Sequence, residues 1–187
     1  MKKKVAALAL ALVLIVCGAV GGTLAWLSDT TDPITNTFVA GGDIDITLTE
    51  TDEDHEFEMI PGCAITKDPV VTVVKGSEAC WLFAKVEKSE NFNDFMSYEM
   101  ADGWNALEGV ADVWYRNVSE NTDTDSAYAV LKDNAVTVLG NVTKDMLTNL
   151  TEENYPTLTI TAYAAQLAKG DSVFTAIEAW NANFVEE

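Results

Sequence analysis

The chain has 187 residues, thirty of them acidic and eleven basic, which gives a net charge of −19 with one histidine. An acidic excess of that size repels nucleic acid and anionic membrane surfaces by long-range electrostatics, and argues against both as partners. The single histidine excludes any site built on a histidine pair.

Residues 1–25 have the order of an export signal. Lys2, Lys3 and Lys4 form a positive start, and residues 5–20 are apolar without interruption. Gly21-Gly22-Thr23-Leu24-Ala25 follows, with the small residues Thr23 and Ala25 two apart. A signal peptidase admits only small side chains at those two positions, so the expected cut lies between Ala25 and Trp26. The alternative is an uncleaved anchor, but a spanning helix needs about 20 apolar residues, and the run falls short before the glycine pair. A lipoprotein signal fits less well, because Val16 precedes Cys17 where a small residue is required. Cleavage leaves 162 residues with a net charge of −22, enough for one domain with a core. The expected product is secreted, with no membrane attachment after the cut.

Residues 26–42 are polar and turn-prone at first, with Pro33, then β-prone at Thr37-Phe38-Val39 before Gly41-Gly42. A terminus of this kind is expected to be loosely held. The domain proper is expected over residues 43–187. Ile44, Ile46 and Leu48 alternate with Asp45, Thr47 and Thr49, the pattern of a half-buried strand. Pro61-Gly62 ends a short apolar segment, and Pro69 marks an edge or a bulge in the next. Residues 70–74 and 80–86 are continuous apolar runs around Lys75-Gly76-Ser77-Glu78, which predicts a hairpin covered on both faces.

Residues 91–100 fit a short helix or a strand approach. Asp102-Gly103 and the Gly109 to Asp112 stretch are turns, with a strand over 113–118. Residues 119–126 are expected as a polar hairpin tip, followed by strands over 128–131 and 136–142. Thr143 is placed to cap one helical turn. Residues 157–166 alternate as the last long strand. Asp171 is the expected N-cap of one amphipathic helix, with Val173, Phe174, Ile177, Trp180 and Phe184 on its apolar stripe. About nine short strands with regular turns predict an all-β fold, an antiparallel β-sandwich with one or two short helices.

Chemistry is sparse. His55-Glu56 opens a zinc-protease pattern, but Met59 stands where the second histidine is required. Neither a nucleophile elbow nor a phosphate-binding glycine loop is present. No catalytic residue and no cofactor is expected. Asn121, Asp123 and Asp125 have the alternate-oxygen spacing that opens a calcium loop, but Ser126 and Lys132 stand where an EF-hand has Gly and Glu. They remain a weak calcium candidate beside the plainer reading of a solvated loop. Cys63 and Cys80 can close an 18-residue loop, worth about 3 kcal/mol in the chain-entropy model. The alternative is two buried small hydrophobes.

The order of these features resembles the TasA/camelysin family of secreted Gram-positive proteins. The resemblance rests on Gly21-Gly22-Thr23-Leu24-Ala25-Trp26-Leu27-Ser28-Asp29, on Asn36-Thr37-Phe38-Val39-Ala40-Gly41 before the first strand, and on Cys80-Trp81-Leu82-Phe83-Ala84-Lys85-Val86. Residues 158–166 and 176–180 also fit, so it covers most of the chain. It implies a jelly-roll sandwich, processing by a SipW-type signal peptidase, and a role in the biofilm matrix or at the cell surface. It further implies self-association into fibres, with a donor strand carrying Trp26, Leu27, Ile34, Phe38 and Val39 inserted into the next subunit. A monomeric surface module for a cation, glycan or host protein is the alternative. The family's casein-cleaving metalloprotease activity is a weaker one, given the missing second histidine.

Overall fold

A computed structural model describes residues 43–51, 57–120 and 123–185. They form an all-β antiparallel sandwich with three short helices. One layer is a single sheet in the order β10 (Leu158–Gln166), β4 (Cys80–Lys88), β7 (Val113–Val118), β6 (Asn105–Ala106). The other layer holds two three-stranded sheets. β1 (Ile46–Thr49), β3 (Val70–Val73) and β8 (Ser126–Ala129) make the first; β2 (Ala64–Thr66), β9 (Leu131–Val138) and β5 (Met96–Met100) make the second.

These two sheets run into one another. β2 and β3 are one broken strand that pairs with β9 and β8, a second broken strand. The Lys67 N–H donates to the Asn134 carbonyl at 2.8 Å, and the Val130 N–H to the Pro69 carbonyl at 2.9 Å, so bonding continues across both breaks. Proline has no N–H to give, which is why the strand breaks at Pro69 and resumes at Val70. From β3 to β10 the chain changes layer at each step, with β6 and β7 counting as one hairpin. That wrapping is jelly-roll-like.

The core follows from the period-two alternation of β4. Cys80, Leu82, Ala84 and Val86 point between the layers, onto Val71 and Val73 of β3 and Val136 and Val138 of β9. Phe83 points the other way, into a second cluster with Val113, Ala165 and Trp180. α3 (Ala176–Asn183) covers that cluster. The Phe83 ring meets Trp180 edge-on at 5.2 Å, and Tyr163 of β10 meets Trp180 at 5.3 Å. β4 is therefore buried on both faces, as its unbroken apolar run predicts.

Three local expectations are corrected. β3 and β4 are not a hairpin: β3 pairs with β1 and β8, while β4 pairs with β10 and β7. The Lys75-Gly76 turn instead lifts the chain from one layer to the other, and buried Ser77 pins it through a 3.1 Å bond from the Asp45 N–H. The polar tip expected over 119–126 does not join a hairpin either, because β7 and β8 belong to different sheets. Finally, Asp171 sits in the turn between β11 (Ala168–Lys169) and β12 (Ser172–Val173), not at the helix start. Thr175 caps α3. Its hydroxyl accepts from the Glu178 N–H at 3.3 Å, and the Glu178 carboxylate accepts from the Thr175 N–H at 2.9 Å. This reciprocal box satisfies two orphan donors at once, which a lone Asp171 cannot do.

The strands expected over 128–131 and 136–142 lie instead at Ser126–Ala129 and Leu131–Val138, and Val173 and Phe174 precede α3 rather than belonging to its stripe, Val173 being exposed in β12. Two further segments match the reading. Residues 91–100 are both alternatives in turn, α1 (Phe92–Phe95) leading straight into β5. Thr143 caps α2 (Lys144–Thr148), accepting from the Met146 N–H at 3.3 Å.

Candidate functional site

β10 stands at one border of its layer. It pairs with β4 over nine consecutive positions without a register shift, and no described residue pairs with its other side. The direction of its backbone groups follows from the ladder. The Ser89 N–H donates to the Thr157 carbonyl at 3.1 Å, and the Leu167 N–H to the Ala79 carbonyl at 3.1 Å. In an antiparallel pair, hydrogen-bonded and non-bonded positions alternate. Thr159, Thr161, Tyr163 and Ala165 therefore bond to β4. Leu158, Ile160, Ala162, Ala164 and Gln166 turn their N–H and C=O groups to the open side.

Sheet borders are normally blunted by a charge, a proline, a bulge or shortness. β10 has none of these: Leu-Thr-Ile-Thr-Ala-Tyr-Ala-Ala-Gln is uncharged, proline-free and regular. It is also held from both faces. Ile160, Ala162 and Ala164 pack on the main core, while Tyr163 and Ala165 pack toward α3. A straight row of alternating donors and acceptors, fixed in place, is a template for another extended segment. The other borders are poorer. β6 has two residues and β1 four. β5 carries Glu99, and its partner strand bulges between the positions opposite Tyr98 and Met100.

Several residues singled out in the sequence lie outside the described ones: Thr23, Ala25 and Trp26 at the expected cut, Leu27, Ile34, Phe38 and Val39 of the donor segment, His55, and Asn121. Of the remaining calcium candidates, Asp123 is exposed, and one Asp125 carboxylate oxygen accepts from the Lys75 N–H at 3.0 Å. That bond serves the interlayer turn. Among the described residues no cluster of three potential metal ligands occurs.

Cys63 and Cys80 are both free thiols, so the disulfide is not adopted, and the alternative of two buried small hydrophobes holds for Cys80 alone. Cys63 is exposed, and its carbonyl accepts from the Val138 N–H in the β9 layer. Cys80 opens β4 in the facing layer and points into the core. Burial pushes its thiol up to about 11, which removes it from thiolate chemistry near neutral pH.

No family model, no curated protein and no solved structure matches the chain.

Proposed function

We propose that the chain is a secreted structural protein of the biofilm matrix or cell surface that self-associates into fibres. Residues 26–39 of one subunit pair with the open side of β10 in the next. The nine-residue border, unguarded among the described residues, carries this reading. A protein that keeps such a template in water risks indiscriminate association, unless the template has a dedicated occupant. The segment behind the expected cut is suited to that use, because Thr37-Phe38-Val39 is β-prone and Trp26, Leu27 and Ile34 supply apolar anchors. Donation from head to tail does not close on itself, so it propagates as a filament. The leader and the TasA/camelysin-like motifs support the same reading, with a SipW-type peptidase as the processing partner.

The test compares the mature chain starting at Trp26 with a form lacking residues 26–36. Filaments are expected in electron micrographs of the first and monomers for the second. Filaments of the truncated form that match those of the intact one would sink donor pairing. A mature chain that stays monomeric at every concentration would instead favour a solitary surface module.

A further inference from the structure

A second feature lies at the far border of the sandwich and does not depend on the fibre reading. Between the outer side of β5 and the facing layer is a solvent-open cleft of about 580 Å³. That volume falls within the usual range for small-molecule sites. Three aromatic residues line it: Tyr98 on β5, Trp104 after the Asp102-Gly103 turn, and Trp114 on β7.

Two of the rings are locked. The Trp104 indole N–H donates to the Ala129 carbonyl at 2.8 Å, and the Arg116 guanidinium lies over the ring with its carbon 5.5 Å from the centroid. The turn before Trp104 is fitted to that guanidinium. Gly103 has φ +88°, and a Cβ there would come within 3.0 Å of Arg116 Nη2. Tyr98 is held edge-on by Phe92 at 6.0 Å, with the Lys88 ammonium 5.7 Å from its ring centre. Trp114 is half-buried, and its indole N–H makes no bond to a described residue.

The polar lining is free to act. Asn93, Ser97 and Asp102 are exposed, line the cleft and make no side-chain hydrogen bond to a described residue. Trp104 is only 7% exposed, so the half-buried Trp114 and Tyr98 supply the open ring area, and with the uncommitted amide, hydroxyl and carboxylate groups around them they form a mixed surface. It suits a ligand with apolar C–H faces and a girdle of hydroxyls. The net charge of −19 disfavours polyanions.

We propose that the cleft between β5 and Trp114 binds a neutral saccharide, its ring face against Trp114 and its hydroxyls bonded by Asn93, Ser97 and Asp102. The open side lets a longer glycan run past the ends of the cleft.

The test titrates the mature protein with four neutral hexasaccharides: β-1,4-linked N-acetylglucosamine, β-1,4-glucose, β-1,3-glucose and α-1,4-glucose. Tryptophan fluorescence and calorimetry follow the binding. At least one is expected to bind saturably, and Trp114→Ala to weaken it about tenfold or more. Because Trp114 also packs on the core, the combined exposed variant Asn93→Ala with Asp102→Ala serves as the second probe. It should weaken binding with an unchanged circular dichroism spectrum and melting point. Failure of all four sugars to bind at about 10 mM would overturn the assignment. So would binding that both variants leave intact.

Discussion

Strands β10 and β5 border opposite layers of the same sandwich, and each leaves one backbone side unpaired among the described residues. β10 is long, uncharged and regular. β5 is five residues long, carries Glu99 bound to Lys132 at 2.6 Å, and faces a partner strand with a bulge. Asp133 and Asn134, with φ of +54° and +52°, form that bulge and break the straight row that a docking strand needs. One border is thus a template for backbone; the other turns its chemistry over to side chains around a cleft. By edge chemistry, and not by exposure alone, the two margins suit different kinds of ligand.

Breaking the comparison at its strongest point means removing an outward N–H from β10. Ala162→Pro does this at mid-strand without deleting a bond to β4. Assembly seen by light scattering and microscopy should be lost, while Ser97→Lys on β5 should leave it intact. Equal effects from both would erase the contrast. Next in size is the support behind β10. Phe83→Ala removes the fully buried ring from the aromatic cluster of Tyr163 and Trp180, and should cost about 3–5 kcal/mol in denaturant unfolding. A loss under about 1 kcal/mol would mean that α3 does not brace this border.

A pH series tests the inner face of β4, the strand to which β10 is bonded. The buried Cys80 thiol is held neutral, up to about 11, against an ordinary value of 9.0. The folded state therefore binds the proton more tightly than the unfolded chain. Its contribution is complete below pH 9 and drains away as pH rises toward 11, by about 2–3 kcal/mol. Cys80→Ala should flatten that part of the stability curve. The smallest effect belongs to the α3 cap. Thr175→Ala removes one half of the box with Glu178 and should cost about 1 kcal/mol, read as a lower melting point. Asp171→Ala should do almost nothing.

Local pattern carries much of the architecture. The strand over 113–118 and the Thr143 cap are where alternation and cap chemistry put them, because both depend on neighbours in sequence. The start of α3 is legible in the same way: Thr175-x-x-Glu178 is a box written in the chain, and it outranks a single acidic residue such as Asp171. The path from β3 to β4 is not legible. Lys75-Gly76 marks a reversal, but which layer receives the chain depends on β3 finding β1 and β8, up to 59 residues away. The same limit hides the candidate sites. Residues 158–166 read plainly as a strand; that they form a border depends on pairing with residues 80–88. Trp104 and Trp114 flank one cleft only because β5 and β7 face each other across the layers, which no spacing in the sequence announces.

Arg116, the only arginine in the chain, lies with its guanidinium carbon 3.9 Å from the centre of the Tyr128 ring and 5.5 Å from that of Trp104. No carboxylate pairs with it among the described residues, although acids outnumber bases almost three to one in the whole chain. Ring faces are not displaced by dissolved ions as a surface carboxylate partner is. This corner should therefore hold in brine as firmly as in dilute buffer, while the lysine bridges elsewhere on the surface fade.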